Sequence, residues 1–286
     1  MIKLIEGYGF CKMGKRILNS SYLGVDKRSA KSGLYGLNKH YLERLNGNFL
    51  AAPQGGAATD PYFSNVKLLL HMDSNFSDSS SSLKTATENG TPTINTTTKK
   101  FGAGAGDFGS GDDLQYADSS DWDIGIGGDN FTIEFWLYLT ATSGTRVFFG
   151  YGAGNFWGSL GHQYTTFIDS GTFYFQYYNG SGTPTTSSFS VTGNISTGVW
   201  QHVAYVYDSS STNKFAIFVD GARKDVNSSG GFTAVSGTPA FRVADTGAGS
   251  YSLNGLLDDF RFTKGVARYD PDSTTLTVPT AAFPNS

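Results

Sequence analysis

The chain has little of the side-chain chemistry that most enzymes and metal sites draw on. Its 286 residues include four glutamates (Glu6, Glu43, Glu88, Glu134), four histidines (His40, His71, His162, His202) and one cysteine, Cys11. A single cysteine excludes an internal disulfide and a thiolate zinc cluster, and no two histidines stand at ligand spacing. Charged residues make up 16%, well under the usual quarter, which argues against a helical protein rich in Glu and Lys. No apolar run approaches the ~20 residues that span a bilayer as a helix, so no membrane partner is expected. The opening stretch "MIKLIEGYGFCKMGKRI" places glycines and charges where a secretion signal needs an unbroken apolar core. The expected location is therefore the cytoplasm, or a particle assembled there and released by lysis.

What is abundant is glycine (37 residues), Ser/Thr and aromatics, with 22 Phe and 16 Tyr. This is the composition of short strands joined by turns. Charge is divided along the chain. Residues 1–52 hold nine Lys/Arg against three acids, net +6, and the rest holds twelve against twenty-one, net −9. The basic segment carries scattered Tyr and Leu, with two helical turns predicted over Leu37–Leu45, and is too short and Gly-rich to bury a core alone. It reads as an irregular docking arm, with Lys12, Lys15, Arg16, Lys27, Arg28, Tyr35 and Tyr41 as its anchoring side chains. An acidic body would repel phosphate, so nucleic acid is not the expected partner. An acidic protein surface, or exchange between copies of the chain in a homo-oligomer, fits better. Residues 53–61, with Gly-Gly and prolines, read as a linker, and 62–286 as the main domain.

In that domain the pattern is all-β. Strands are predicted at Val66–Asp73, Thr93–Asn95, Asp113–Ala117, Phe131–Leu139, Arg146–Gly152, Tyr164–Asp169, Phe173–Tyr178, Ser187–Val191, Val199–Asp208, Lys214–Asp220, Pro239–Asp245 and Gly255–Gly265. In "FTIEFWLYL", Phe131, Ile133, Phe135, Leu137 and Leu139 share one face and Thr132, Glu134, Trp136 and Tyr138 the other. Such alternation makes half-buried strands of an antiparallel, two-sheet sandwich. No βαβ spacing appears.

The segments "FTIEFW" (Phe131–Trp136), "WQHVA" (Trp200–Ala204) and "GLLDDFR" (Gly255–Arg261), in that order, resemble the concanavalin A-like, laminin-G-type jelly roll of the pentraxin group over about residues 62–286. The opening "DPYFSNVKLLLHMD" and the ending "RYDPDSTTLTVPTAAFP" look like versions carried by bacteriophage virion proteins. The resemblance implies a module that binds glycan or protein, often with a Ca²⁺ site, and not a characteristic enzyme. It implies a virion accessory protein of the capsid-decoration or head-fibre kind, with the major capsid protein as the favoured partner and a tail protein as the alternative. Host-surface polysaccharide is the implied outer ligand. A tail adhesin is the second reading and a polysaccharide-cleaving hydrolase the third. Trp136, Tyr138, Trp157 and Tyr178 are the candidate sugar contacts. Trp136 has a competing reading as a packed residue that fills the interior. Asp73 and Asp78 after the first strand, and Asp258 and Asp259 in the last, are the candidate Ca²⁺ ligands, with Asp112 and Asp113 also considered.

Other motifs carry less. Gly104, Gly106 and Gly109 match G-x-G-x-x-G, but no helix follows to bind phosphate, and they read as loop glycines. Jelly-roll glycanases place a carboxylate pair across the scissile bond. Glu134 has no acid two or four residues on, so no catalytic residue is assigned. Ser, His and Asp occur without a nucleophile elbow.

Overall fold

The computed structural model describes residues 59–152, 162–178, 184–228, 232, 239–247 and 251–286, with the backbone of 3–4, 10–13 and 16–19. The chain divides into two compact units, Met1–Gly56 and Ala57–Ser286. In the first, β1 (Lys3–Leu4), β2 (Phe10–Met13) and β3 (Arg16–Asn19) form a small antiparallel sheet. The sequence led to an irregular arm here; strands this short show no apolar period, so pairing rather than patterning defines them. Lys12 lies on β2 and Arg16 on β3. Lys15, Lys27, Arg28, Tyr35, Tyr41 and the predicted helical turns fall outside the described residues.

In the second unit the strands are β4 (Val66–Leu70), β5 (Thr87–Asn89), β6 (Thr93–Asn95), β7 (Ala105–Phe108), β8 (Asp113–Tyr116), β9 (Phe131–Leu139) and β10 (Arg146–Gly152). They continue with β11 (His162–Asp169), β12 (Thr172–Tyr178), β13 (Pro184–Ser190), β14 (Trp200–Tyr207), β15 (Phe215–Val219), β16 (Ala222–Asn227), β17 (Ala240–Val243) and β18 (Gly255–Lys264). A seven-stranded sheet runs β13-β12-β11-β10-β17-β8-β5. An eight-stranded sheet runs β16-β15-β14-β9-β18-β7-β6, with β4 on β18. Among the described residues every pairing between these strands is antiparallel, the two-sheet architecture the alternation predicted. Among the described residues no helix is long and apolar enough to cross a membrane.

The layers meet through aromatics. Phe135 on β9 contacts Phe148 and Phe149 of the opposite sheet and Tyr205 and Phe260 of its own, at centroid separations of 5.5 to 6.2 Å. Trp122 stacks on Phe241 at 4.5 Å and meets Phe262 edge-on. Buried ring pairs of this kind add to the area they remove from water.

Strand β7 corrects the reading of "GAGAGDFG" as loop. It pairs with both β6 and β18. Gly106 sits there because a Cβ would come within 2.5 Å of the Met72 sulfur and 2.8 Å of the Phe108 ring. The glycine records close packing, not a phosphate cradle.

Strand β18 carries the feature that shapes the candidate site. Asp258 pairs with Trp136 and Arg261 with Glu134, so Asp259 and Phe260 together oppose Phe135. This is a β-bulge, with Asp259 at φ 47°. It restores Phe260 and Phe262 to the core and puts Asp258, Arg261 and Thr263 on the outer face. Strict alternation does not hold across it.

Candidate functional site

Register sets the outer face of the eight-stranded sheet in four rows across β18, β9 and β14. They are Thr263–Thr132–Val206, Arg261–Glu134–Ala204, Asp258–Trp136–His202 and Leu256–Tyr138–Trp200. The sequence predicted this face half-exposed. Instead, β9 is buried along its length except at Tyr138. Two segments cover it. The chain after β18 lays Ala267, Tyr269 and Leu276 on Ala204, Val206, Ala216 and Phe218, and Phe283 on Val66 and Leu69. The loop after β6 puts Phe101 and Lys100 against Trp136.

Under the C-terminal segment lies an ionic network. Glu134 Oε1 accepts from Arg261 Nη2 at 2.6 Å and Nε at 3.1 Å. Its Oε2 accepts from the Tyr269 hydroxyl at 2.8 Å and stands 3.2 Å from His202 Nε2. Arg261 also reaches Asp60 at 3.1 Å, and Arg268 binds both oxygens of Asp60 at 2.9 and 2.7 Å. Asp60, read from sequence as linker, is thus a buried part of this domain. Burial alone would raise the Glu134 carboxyl; the Arg261 charge and the His202 contact outweigh it and hold the group well below the usual carboxylate range. A glutamate so held, and fully buried, neither donates a proton nor meets a substrate. The network fixes the C-terminal segment to the sheet.

Trp136 is 4% exposed, which corrects its assignment as a sugar contact: stacking needs a free ring face, and Phe101 lies edge-on at 5.6 Å with the Lys100 ammonium 3.8 Å above the ring. The packed reading of Trp136 is right about burial and wrong about place, since Phe135 holds the core and Trp136 the opposite face. Two carboxylates hold the covering loop. Asp258 accepts from the Lys100 and Phe101 N–H groups at 2.7 and 3.0 Å, and Asp73 from those of Ala103 and Gly104. At Gly102, φ is +54° and a Cβ would strike the Asp73 carboxylate, so the loop closes only with glycine there.

The candidate Ca²⁺ ligands are therefore occupied separately. Asp78 caps its own loop through Leu69 N, Ser80 N, Ser80 Oγ and Lys84 N. Asp259 takes His71 Nδ1 and Phe283 N. Of the other two, Asp112 accepts from Thr91 and Gly109 N, and Asp113 pairs with Arg242. Among the described residues no three Asp, Glu, His or Cys side chains group as a metal cage; each of these carboxylates is taken up by protein donors.

Burial, with the neighbouring Asp259 charge, pushes Asp258 up to about 7, against the pull of the Phe101, Lys100 and Asp259 backbone N–H groups. The folded state then keeps a proton that the unfolded chain sheds near pH 4, so stability falls as pH rises from about 4 to 7. His71, flanked by Asp259 and Asn285, is raised despite burial and adds a loss in the same direction. Asp258→Asn keeps an acceptor for the loop and removes the first titration. Its melting temperature should stay flatter than that of the wild type from pH 5 to 8, with a gap of roughly 1–3 kcal/mol at pH 8. Parallel profiles would disprove this.

The outer face of the seven-stranded sheet is different. On β12, Phe173, Phe175 and Tyr177 are buried, while Tyr174, Gln176 and Tyr178 alternate with them, half-buried. Across on β13, Ser188 and Thr186 pair with Tyr174 and Gln176 and are exposed. Tyr174 stacks on Phe167 at 4.8 Å, and both pack with Val147 and Tyr251. Further along, Arg242 binds both oxygens of Asp113 at 2.7 and 2.9 Å and Gln115 at 2.6 Å. This face joins flat aromatic surface to amide and hydroxyl groups. It includes Tyr178 of the predicted contacts; Tyr138 lies on the other sheet, and Trp157 is outside the described residues. Tyr174 and Gln176 were missed, although the alternation of "FYFQYY" already puts them beside Tyr178.

Residues 108–268, more than half of the chain, match the Concanavalin A-like lectin/glucanases superfamily. The chain belongs to that superfamily. Among solved structures, it is similar to the receptor binding domain of botulinum neurotoxin C/D mosaic serotype, with a TM-score of 0.51 and 14% identity over 70% of this chain and 48% of that one. A binding domain of botulinum neurotoxin DC in complex with SialylT gives 0.50 and 12%, covering 71% and 48%. The same domain in complex with rat synaptotagmin II gives 0.52 and 13%, again covering 71% and 48%. The chain spans about half the length of these structures, and at such identities the likeness is one of fold. No curated protein matches the sequence. Within the superfamily name stand both lectins and glucanases. This member's Glu134, the one glutamate on a predicted strand, is spent on Arg261, His202 and Tyr269.

Proposed function

We propose that the chain is a non-catalytic carbohydrate-binding adhesin displayed on a bacteriophage particle. Its β-sandwich faces outward, and residues 1–52 dock it to an acidic surface of the major capsid protein. The observation that carries the binding reading is the half-exposed Tyr174–Gln176–Tyr178 face over a closed aromatic core. Tyrosine rings offer stacking area at low entropic cost, and the amide and hydroxyls orient sugar hydroxyls. Superfamily membership, and likeness to domains named for receptor binding, support the same reading. The docking reading is supported by the split of charge between +6 and −9 and by the resemblance of both ends of the sandwich sequence to phage virion proteins. The likeness to receptor-binding domains also favours a second reading, a tail adhesin; hundreds of copies per particle would mark decoration, a handful the tail.

The test compares two altered chains with the wild type, on a glycan array and in particle assembly. A chain lacking residues 1–52 should stay soluble and bind host-surface polysaccharide but fail to join particles. In the full chain, Tyr174→Ala with Tyr178→Ala should lower polysaccharide binding by about tenfold or more while assembly continues. Incorporation without residues 1–52, or polysaccharide binding indifferent to both tyrosines, would refute the corresponding half of the proposal.

A further inference from the structure

The outer face of the eight-stranded sheet is not covered to its end. Of its four rows, the C-terminal segment and the loop after β6 close three. The last, Leu256–Tyr138–Trp200, keeps two half-buried aromatics, with ring centroids 5.5 Å apart at 55°. Val199 beside them is 49% exposed.

This end of the sheet also has polar groups that the protein leaves unfilled. The indole Nε1 of Trp136, the indole Nε1 of Trp200 and the Nδ1 of His202 are buried with no hydrogen-bond partner. Among the described residues only six buried side-chain atoms lack a partner, and these three sit on two neighbouring rows. Trp136 is 4% exposed and His202 fully buried. Native proteins rarely leave buried polar atoms unpaired, so such a group points to something that completes it. The two indoles can only donate. With its Nε2 turned to Glu134, His202 leaves Nδ1 to a further polar partner. Such a set suits a ligand rich in hydroxyls.

The charge is equally one-sided. Lys100 holds its ammonium 3.8 Å over the Trp136 ring and takes part in no ion pair among the described residues. The nearby carboxylates are used: Asp258 by the N–H groups of Lys100 and Phe101, Asp220 by His202 N and Gln201 Nε2, and Glu134 by its network. Donors and a cation are in excess, and acceptors are spent. The missing partner must bring negative charge and hydroxyl groups, along with an apolar face for the rings of Tyr138 and Trp200.

We propose that Tyr138, Trp200 and Leu256, with Lys100, Trp136 and His202 behind them, form a subsite for an acidic saccharide, a sugar ring bearing a carboxylate. The aromatic pair takes the C–H face of the ring, the Trp200 N–H takes a hydroxyl, Lys100 takes the carboxylate, and bound water links the sugar to the covered Trp136 N–H and His202 Nδ1. This deepens the carbohydrate-binding reading and rests on it, but on the sheet opposite the Tyr174–Tyr178 face.

The test titrates the full chain with a glucuronate-containing tetrasaccharide and with the same tetrasaccharide after carboxyl reduction, followed by calorimetry and tryptophan fluorescence. The acidic form should bind at least about tenfold tighter and change the tryptophan emission. Trp200→Phe, which keeps a ring and loses the N–H, and Lys100→Gln, which alters a surface side chain, should each weaken it by about fivefold or more. Tyr178→Ala should leave the preference for the acidic over the carboxyl-reduced form unchanged. Equal affinity for the two sugars, or full affinity in both Trp200→Phe and Lys100→Gln, overturns the subsite. If acidic binding instead falls with Tyr178→Ala alone, the carbohydrate reading stands and the subsite fails. If neither sugar nor host polysaccharide binds at all, both fail.

Discussion

Arg261→Ala is expected to cost about 3–5 kcal/mol of folding stability, the range for breaking a buried ion pair from one side. The loss is large because the guanidinium serves several groups at once. It donates twice to Glu134, reaches Asp60, and lies 3.8 Å over the Phe283 ring. Without it, a fully buried carboxylate keeps only Tyr269 and His202. Glu134→Ala should cost a similar amount by stranding Arg261. Glu134→Leu combined with Arg261→Met should recover much of the loss, since an apolar pair of similar volume strands no charge. Urea denaturation at pH 7 of the two single variants and of this double replacement measures the loss and its recovery. The pH dependence has a defined sign. Glu134 is depressed in the folded state, so its contribution is full above the unfolded carboxylate range and lost as pH falls from there through its lower folded value. Arg261→Ala should therefore show less extra loss on acidification than the wild type. A single-variant cost below about 1 kcal/mol would mean that the network carries no stability.

A chain ending at Arg268, where the superfamily match ends, is expected to lose roughly 5 kcal/mol or more and to fold poorly or not at all. Residues 269–286 form no strand, yet they behave as a layer. Tyr269 and Leu276 cover the Ala204, Val206, Ala216 and Phe218 patch, and Phe283 covers Val66 and Leu69. The backbone is sewn in as well: Leu276 N to Gly221 O, Arg223 N to Thr274 O, and Asp60 N to Ser286 O at 2.6 Å. Removing the segment exposes an apolar strip of a central strand and takes the Tyr269 hydroxyl from Glu134. Near-UV circular dichroism and dye binding would report the loosened core, and Phe283→Ala alone should cost about 3–5 kcal/mol. An unchanged denaturation midpoint after truncation would show that the outer layer adds nothing.

The class of fold was legible because apolar alternation acts locally. Phe131, Ile133, Phe135, Leu137 and Leu139 had to share a face, and β9 has the bounds the pattern predicted. In the sandwich three short strands, β5, β7 and β16, were missed, as were β1, β2 and β3 of the first unit. β7 is half glycine or charge, and its place depends on Met72 and Phe108, which no window of sequence brings to it. The site was less legible for a related reason. Periodicity states which residues share a face, but not whether a distant segment covers that face. So Glu134 looked solitary until β18 set Arg261 opposite it across a bulge, and Trp136 looked like a platform until residues 100 and 101 came to lie on it.

The sequence by itself determined two antiparallel sheets, which residues of a regular strand share a face, and the division between a basic leader and an acidic body, because each follows from near-neighbour period and composition. Only the tertiary structure decided which outward residues meet solvent. Coverage depends on contacts between residues more than a hundred positions apart, such as Asp258 with Lys100 and Arg268 with Asp60, and local pattern holds no information about them.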